Sequence, residues 1–215
     1  MVSSLKFNTP SQVKNLKKVP DNLIYETIDG QPFYRKGYKL VLRKLKTKEE
    51  IMGVSKIQAN LISYILRQLF RFLNEDEYYI HCNEAGIHLG KNDNLAGDIL
   101  VFDKQILTPD LINDNYAEVP PVINIEVDIK VELNNEDSFD YMHRKTQKML
   151  QFGTKKMIWV LKKTKTIIVA EPNEPWQILD WSNDIEILRG VTFNIATYLK
   201  KEGIDIDKLD DKPKS

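Results

Sequence analysis

The sequence predicts an α/β or α+β domain with one mixed sheet covered by helices, on three observations. Strand-like runs dominate the 215-residue chain. Only two segments have the length and apolar spacing of substantial helices, and the elements run in the order hairpin, helix, several strands, helix, hairpin. A chain of this length suits one sizeable core, placed at residues 21–203 between a basic N-terminal arm (1–20) and a polar C-terminal tail (204–215).

The arm carries Lys6, Lys14, Lys17 and Lys18 and no acid, the pattern of a loosely docked terminus. "LIYETIDGQPFYRKGYKLVL" alternates apolar and polar residues around Asp29-Gly30, a strong hairpin signal. A capping box, Thr47 with Glu50, opens "TKEEIMGVSKIQANLISYILRQLFRFL", where Ile57, Leu61, Ile65 and Leu69 recur at helical spacing. Gly53 interrupts its first turn, so the continuous helix is expected from about Ser55. "YYIHCNEAGIHLG" and "AGDILVFD" read as strands separated by the turn-rich "KNDNLA".

Pro120 and Pro121 impose an extended entry into "VINIEVDIKVEL". On a strand, Ile123, Ile125, Val127, Ile129 and Val131 share one face, and Asn124, Glu126, Asp128 and Lys130 share the other, which is either solvated or a site. "EDSFDYMHRKTQKMLQFG" is the second helix, with Phe139, Met142, Thr146, Met149 and Leu150 as its inward stripe and Gly153 at its end. "KMIWVL" and "TIIVAEP" follow as strands joined by a lysine-rich turn, then "WQILDW", the amphipathic "FNIATYLKK" and a polar tail.

Composition narrows the function. With 31 basic and 31 acidic residues, the net charge of zero exerts no global pull on nucleic acid, so any contact with it requires a local patch. The run Arg144, Lys145, Lys148, Lys155 and Lys156 is the best candidate for one. No segment approaches the roughly 18 apolar residues of a membrane span, and the N-terminus lacks an apolar signal core, so a cytoplasmic protein is expected. Cys82 alone can build neither a disulfide nor a cysteine-rich zinc site, and its strand-like neighbourhood reads as that of a small buried thiol. His81, His88 and His143 show no ligand or catalytic spacing.

Asp98 and Glu126 carry the candidate chemistry. If their strands are neighbours, both carboxylates project from one face. Mg²⁺ needs only one or two carboxylates beside water and substrate phosphate. A nearby lysine would hold the attacking water or neutralise charge developing on the phosphate. Glu84 in "CNEAG" stands near the same sheet end.

"YETIDG", the long helix, "GDILVFD", "VINIEV" and "KTQKMLQFGTKKMIWVL" together resemble the Uma-two family of restriction-endonuclease-like proteins, a branch of the PD-(D/E)XK nuclease superfamily. The resemblance covers most of residues 22–200. It implies a restriction-endonuclease-like mixed central sheet flanked by helices, and Mg²⁺- or Mn²⁺-dependent hydrolysis of DNA. Cleavage of both strands of a duplex would make a homodimer reasonable.

Under this resemblance Gly97-Asp98 stands where the superfamily has Pro-Asp, and Glu126 matches the second acid, so Asp98 and Glu126 would hold the metal. Lys145 occupies the position of a catalytic lysine on the following helix, at the border of the inward stripe. Asp128-Ile129-Lys130 is the competing register, because it satisfies the acid, any residue, lysine spacing. Lys130 lies roughly 13 Å along a strand from Glu126, so the two registers are not one site unless the lysine folds back. The other function class is a catalytically inactive nucleic-acid-binding or protein-interaction module on the same scaffold. In that case Glu126, Asp128 and Lys130 are simply the solvated face of a strand.

Overall fold

Asp29 and Gly30 adopt positive φ values of 53° and 73° and close the hairpin of β1 (Ile24–Ile28) and β2 (Gln31–Tyr34), as the Asp-Gly signal predicts. This computed structural model describes residues 19–133 and 137–209. The basic arm up to residue 18 and the tail from residue 210 lie outside the described residues.

Two short helices, α1 (Tyr38–Leu42) and α2 (Glu49–Met52), lead into the long α3 (Lys56–Phe72). The capping box closes reciprocally: the Thr47 amide donates to Glu50 Oε2 at 2.7 Å, and the Glu50 amide to Thr47 Oγ1 at 3.4 Å. Gly53 ends α2, and Ser55 caps α3 by accepting from the Gln58 amide.

β3 (Tyr78–Gly90) and β4 (Asp93–Asp103) form a long antiparallel pair. Their turn is shorter than "KNDNLA" suggested, because Asp93 to Ala96 join the ladder. β5 (Ile123–Val127), α4 (Ser138–Phe152) and β6 (Lys156–Leu161) make a parallel crossover unit. β7 (Thr166–Ala170) and β8 (Gln177–Asp180) extend the sheet. A second hairpin, β9 (Ile185–Leu188) and β10 (Val191–Phe193), not foreseen in the sequence, precedes α5 (Ile195–Lys201).

The eight-stranded sheet runs β2-β1-β4-β5-β6-β7-β8, with β3 also on β4. Its one parallel pairing, β5 with β6, makes it mixed. On one face Ile99, Ile125, Val127, Ile158 and Val160 pack against Leu61, Ile65 and Leu69 of α3, each buried side chain worth about 1.5–3 kcal/mol. On the other face Leu100, Phe102 and Trp159 pack against Tyr141, Met142 and Met149 of α4. Among the described residues no helix is long and apolar enough to cross a membrane.

Two expectations need correction. The inward stripe of α4 is Tyr141, Met142, Lys145, Thr146 and Met149, while Phe139 is 50% exposed. The helix presents its phenol and ammonium to the sheet because their acidic partners lie there. Cys82 is exposed rather than buried, since it borders an irregularity in β3.

Candidate active site

Ile99 pairs with Ile125 and Leu100 with Asn124, so the next step of the antiparallel register sets Asp98 opposite Glu126. Directly opposed residues share a face with Cβ atoms about 5 Å apart. That face is the one α4 covers, and the two acids are only 2% and 1% exposed. The Val127 amide donates to Asp98 Oδ2 at 2.8 Å, and the Gln58 amide nitrogen of α3 donates to the Val127 carbonyl at 2.6 Å. The end of β5 is thus clamped from both faces. A Cβ on Gly97 would come within 2.8 Å of Asn124 Oδ1 and 2.4 Å of Leu100 Cδ2, so the residue before Asp98 has no room for a side chain.

Lys145 descends from α4 into this pair. Its Nζ lies 2.8 Å from Glu26 Oε2, 3.0 Å from Glu126 Oε1 and 2.8 Å from the Ala96 carbonyl. Glu26 and the Ala96 carbonyl accept hydrogen bonds from it, whereas Glu126 Oε1 faces it as an ion pair and accepts no hydrogen bond among the described residues. The second oxygen of Glu26 accepts from the Tyr141 hydroxyl. Burial pushes Glu126 up to about 7; Lys145 opposes this, while the charges of Asp98 and Glu26 add to it. Burial works downward on Lys145, but Glu126 and Glu26 outweigh it and hold the ammonium above its ordinary range. Tyr141 is raised by burial and by Glu26, which keeps it a hydrogen-bond donor.

The competing register is placed differently. β5 ends at Val127, and Asp128 takes a left-handed conformation at φ 69°. The chain then runs beside the end of β2, with Val131 bridged to Arg35 and the Lys36 amide bonded to the Lys130 carbonyl at 2.7 Å. Lys130 therefore does not continue the strand. Its ammonium folds back onto Asp98 Oδ1 and lies 3.5 Å from Glu84 Oε1. Asp128 turns away and pairs with Lys162 at 3.0 Å. Glu84 takes both guanidinium nitrogens of Arg35, at 3.3 and 2.9 Å. Burial works upward on Glu84, yet Arg35 and Lys130 hold its carboxyl below the ordinary range.

Asp98, Glu126, Lys145 and Lys130 thus converge, with Glu84 beside them, while Asp128 stands apart. Among the described residues no group of three or more His, Cys, Asp or Glu side chains could by itself hold a metal ion. The chemistry of Asp98 and Glu126 still fits Mg²⁺ or Mn²⁺: two opposed hard-oxygen donors, one with its carboxyl raised first by burial and then by the charges of Asp98 and Glu26, and with an oxygen that accepts no hydrogen bond among the described residues. Lys130 sits on Asp98 Oδ1, the carboxylate oxygen that the Val127 amide leaves open.

Glu26, Arg35, Gln58 and Tyr141 belong to the site, and the sequence reading did not single them out. Glu26 sits after a one-residue irregularity in the pairing of β1 with β2, which buries Tyr25 and Glu26 in succession although neighbours normally alternate. Glu84 is aimed by a similar device, since two β3 residues with positive φ, Asn83 and Glu84, lie opposite Asp98 alone. Tyr141 was detectable, being one helical turn from Lys145.

The basic patch also lies elsewhere. Lys145 is buried, Arg144 and Lys148 pair with Asp29, and Lys156 pairs with Glu171 at 3.0 Å. A denser basic run is "RKGYKLVLRKLKTK", residues 35–48, with seven basic residues and no acid, of which Arg35 and Lys39 are ion-paired. It borders a cleft of about 340 Å³ that reaches Glu84 and Lys130.

The same architecture occurs in the crystal structure of a "putative nuclease belonging to DUF820" from Anabaena variabilis ATCC 29413. The two are 16% identical and superimpose with a TM-score of 0.56 over 81% of this chain and 89% of that one. DUF820 is the Uma-two family of PD-(D/E)XK nucleases, so the mixed sheet flanked by helices is the restriction-endonuclease-like fold that the motifs implied. The likeness is one of fold. No family model matches the chain, and no curated protein does.

Proposed function

We propose that this protein is a metal-dependent endonuclease that hydrolyses DNA phosphodiester bonds, with Asp98 and Glu126 holding Mg²⁺ or Mn²⁺. The observation that carries this reading is the pair of opposed, buried carboxylates flanked by Lys145 and Lys130 on a nuclease fold. A divalent cation there would polarise a phosphoryl oxygen and acidify water.

The side chains divide the remaining work. Glu26 and Tyr141 hold Lys145, and Lys145 fixes the orientation and charge of Glu126. Fully buried and held by Glu26 and the Ala96 carbonyl, Lys145 acts on the Glu126 carboxylate rather than on water. Lys130, whose side chain is 11% exposed, is the cation that can leave Asp98 for the substrate. There it would position water or balance the charge growing on the phosphate as the P–O bond breaks. Asp128 remains outside this set through its pairing with Lys162.

The test is cleavage of single-stranded and duplex DNA with Mg²⁺ or Mn²⁺, alongside calorimetric metal binding. Wild type should bind Mn²⁺ and cut, whereas Asp98→Asn and Glu126→Gln should lose both abilities while staying folded. A wild-type protein that neither binds metal nor cuts would sink the proposal.

The ion pair of Lys130 with Asp98 favours a second reading, in which lysines permanently neutralise the acids of a non-catalytic nucleic-acid-binding module. DNA binding that survives Asp98→Ala and Glu126→Ala, with no cleavage by wild type, would select it.

A further inference from the structure

A chain with no net charge has concentrated seven basic residues, without an acid, into residues 35–48, at the mouth of the cleft that opens onto Lys130 and Glu84. Several of these charges are already engaged: Arg35 with Glu84, Lys39 with Glu132. Lys36 and Lys46 are exposed, line the cleft, and have no ion pair or side-chain hydrogen bond among the described residues. Their ammonium groups are therefore available to a polyanion at no cost in broken internal contacts. Apolar surface accompanies them, since Leu42, Leu45, Met52 and Val54 are all exposed, Leu45 to 68%.

We propose that this segment is a track for one strand of single-stranded DNA, with Lys36 and Lys46 holding successive backbone phosphates as the strand enters the cleft. The inference rests on the nuclease reading for its direction, because the track leads to Lys130 and Asp98. Two observations favour an unpaired strand over a duplex. The cleft, about 340 Å³, is walled on one side by the junction of α2 and α3 (Met52 to Ser55) and on the other by Ile129 and Lys130. That is the small end of the range for a ligand site, so the cleft takes one backbone at a time, and that backbone passes Glu50, Glu84 and Asp128 as well as the lysines. The exposed aliphatic side chains beside the lysines can cover the faces of unpaired bases, which a duplex keeps stacked. A basic groove that follows the backbone, joined by stacking on aromatic side chains, is how single strands are commonly held without sequence readout, and here aliphatic contact stands in for the stacking.

Fluorescence anisotropy of a labelled oligothymidylate in EDTA, repeated across a salt series, tests the track without cleavage. The wild type should bind with a strong salt dependence, and more tightly than it binds a labelled duplex. The double variant Lys36→Gln/Lys46→Gln should bind more weakly, with the slope of log K against log salt shallower by about 1.4, since each phosphate contact to a single strand contributes about 0.7. Lys156→Gln, at an ion-paired lysine away from the cleft, should leave the slope unchanged. An unchanged slope in the double variant, tighter binding of the duplex, or no binding by wild type each overturns the track. Addition of Mn²⁺ separates the two readings. Cleavage with an unchanged slope refutes the track alone, and a reduced slope without cleavage supports the track while refuting the nuclease.

Discussion

The two faces of β5 are equally dry and chemically opposite. Toward α3, Ile123, Ile125 and Val127 meet Leu61, Ile65 and Leu69, an arrangement that needs nothing but shape and apolar area. Toward α4, Glu126 shares a buried space with Lys145, Glu26, Tyr141 and Asp98. A charged, alternating face is thus no sign of solvent. Charges are buried here because each meets an opposite charge or a donor, and the arrangement carries a desolvation cost that the apolar face does not.

Breaking the charged face should cost most. Lys145→Met leaves Glu26 and Glu126 buried without their common counter-ion, and should destabilise the protein by about 3–5 kcal/mol in denaturant titration. A cost near zero would mean that the two acids simply take up protons.

The next largest effect distinguishes the faces by pH. The folded protein keeps the Glu126 proton up to about pH 7, whereas the ordinary value is 4.5, so between these limits the native state binds more protons than the unfolded chain. The stabilisation contributed by Glu126 is then full below about 4.5 and is lost as pH rises through 7, by about 3 kcal/mol at about 1.4 kcal/mol per unit, while lowered carboxyls such as Glu84 work in the opposite sense at more acid pH. Thermal melts in EDTA should show this fall in wild type and its loss in Glu126→Gln. A wild-type melting temperature that rises over that window would contradict the placement of Glu126.

On the apolar face, Ile65→Val should cost about 0.5–1.5 kcal/mol, with no pH dependence of its own. The smallest effect belongs to the surface. Lys156→Gln removes a partly exposed pair with Glu171 and should change stability by no more than about 1 kcal/mol, readable as a small shift in denaturant midpoint that salt erases.

The elements with local signals were legible in the sequence. The Asp29-Gly30 turn, the Thr47–Glu50 capping box, the restart of α3 at Ser55 and the end of α4 at Gly153 all rest on residues within a few positions of one another. Asp98 and Glu126 could be chosen as a pair because strand alternation gives each a face, and the register then sets them opposite. Glu26 and Glu84 were not legible as site residues, since each is aimed by an extra residue in one strand that exists only relative to its partner. Lys130 was misjudged as a strand residue because nothing local marks Asp128 as the point where the backbone turns left-handed.

By itself the sequence located most of the helices and strands, marked which strand faces are apolar, and put Asp98 and Glu126 on two successive strands; that these strands are neighbours came from the β4–β5 pairing. Only the tertiary structure decided that Lys145 is fully buried between Glu26 and Glu126, that Lys130 returns to Asp98, and that residues 35–48 border the cleft leading to them. Periodicity is a property of neighbours along the chain. The charge balance of a buried site is a sum over groups brought together from β1, β3, β4, α4 and the turn after β5, and no window of sequence contains it.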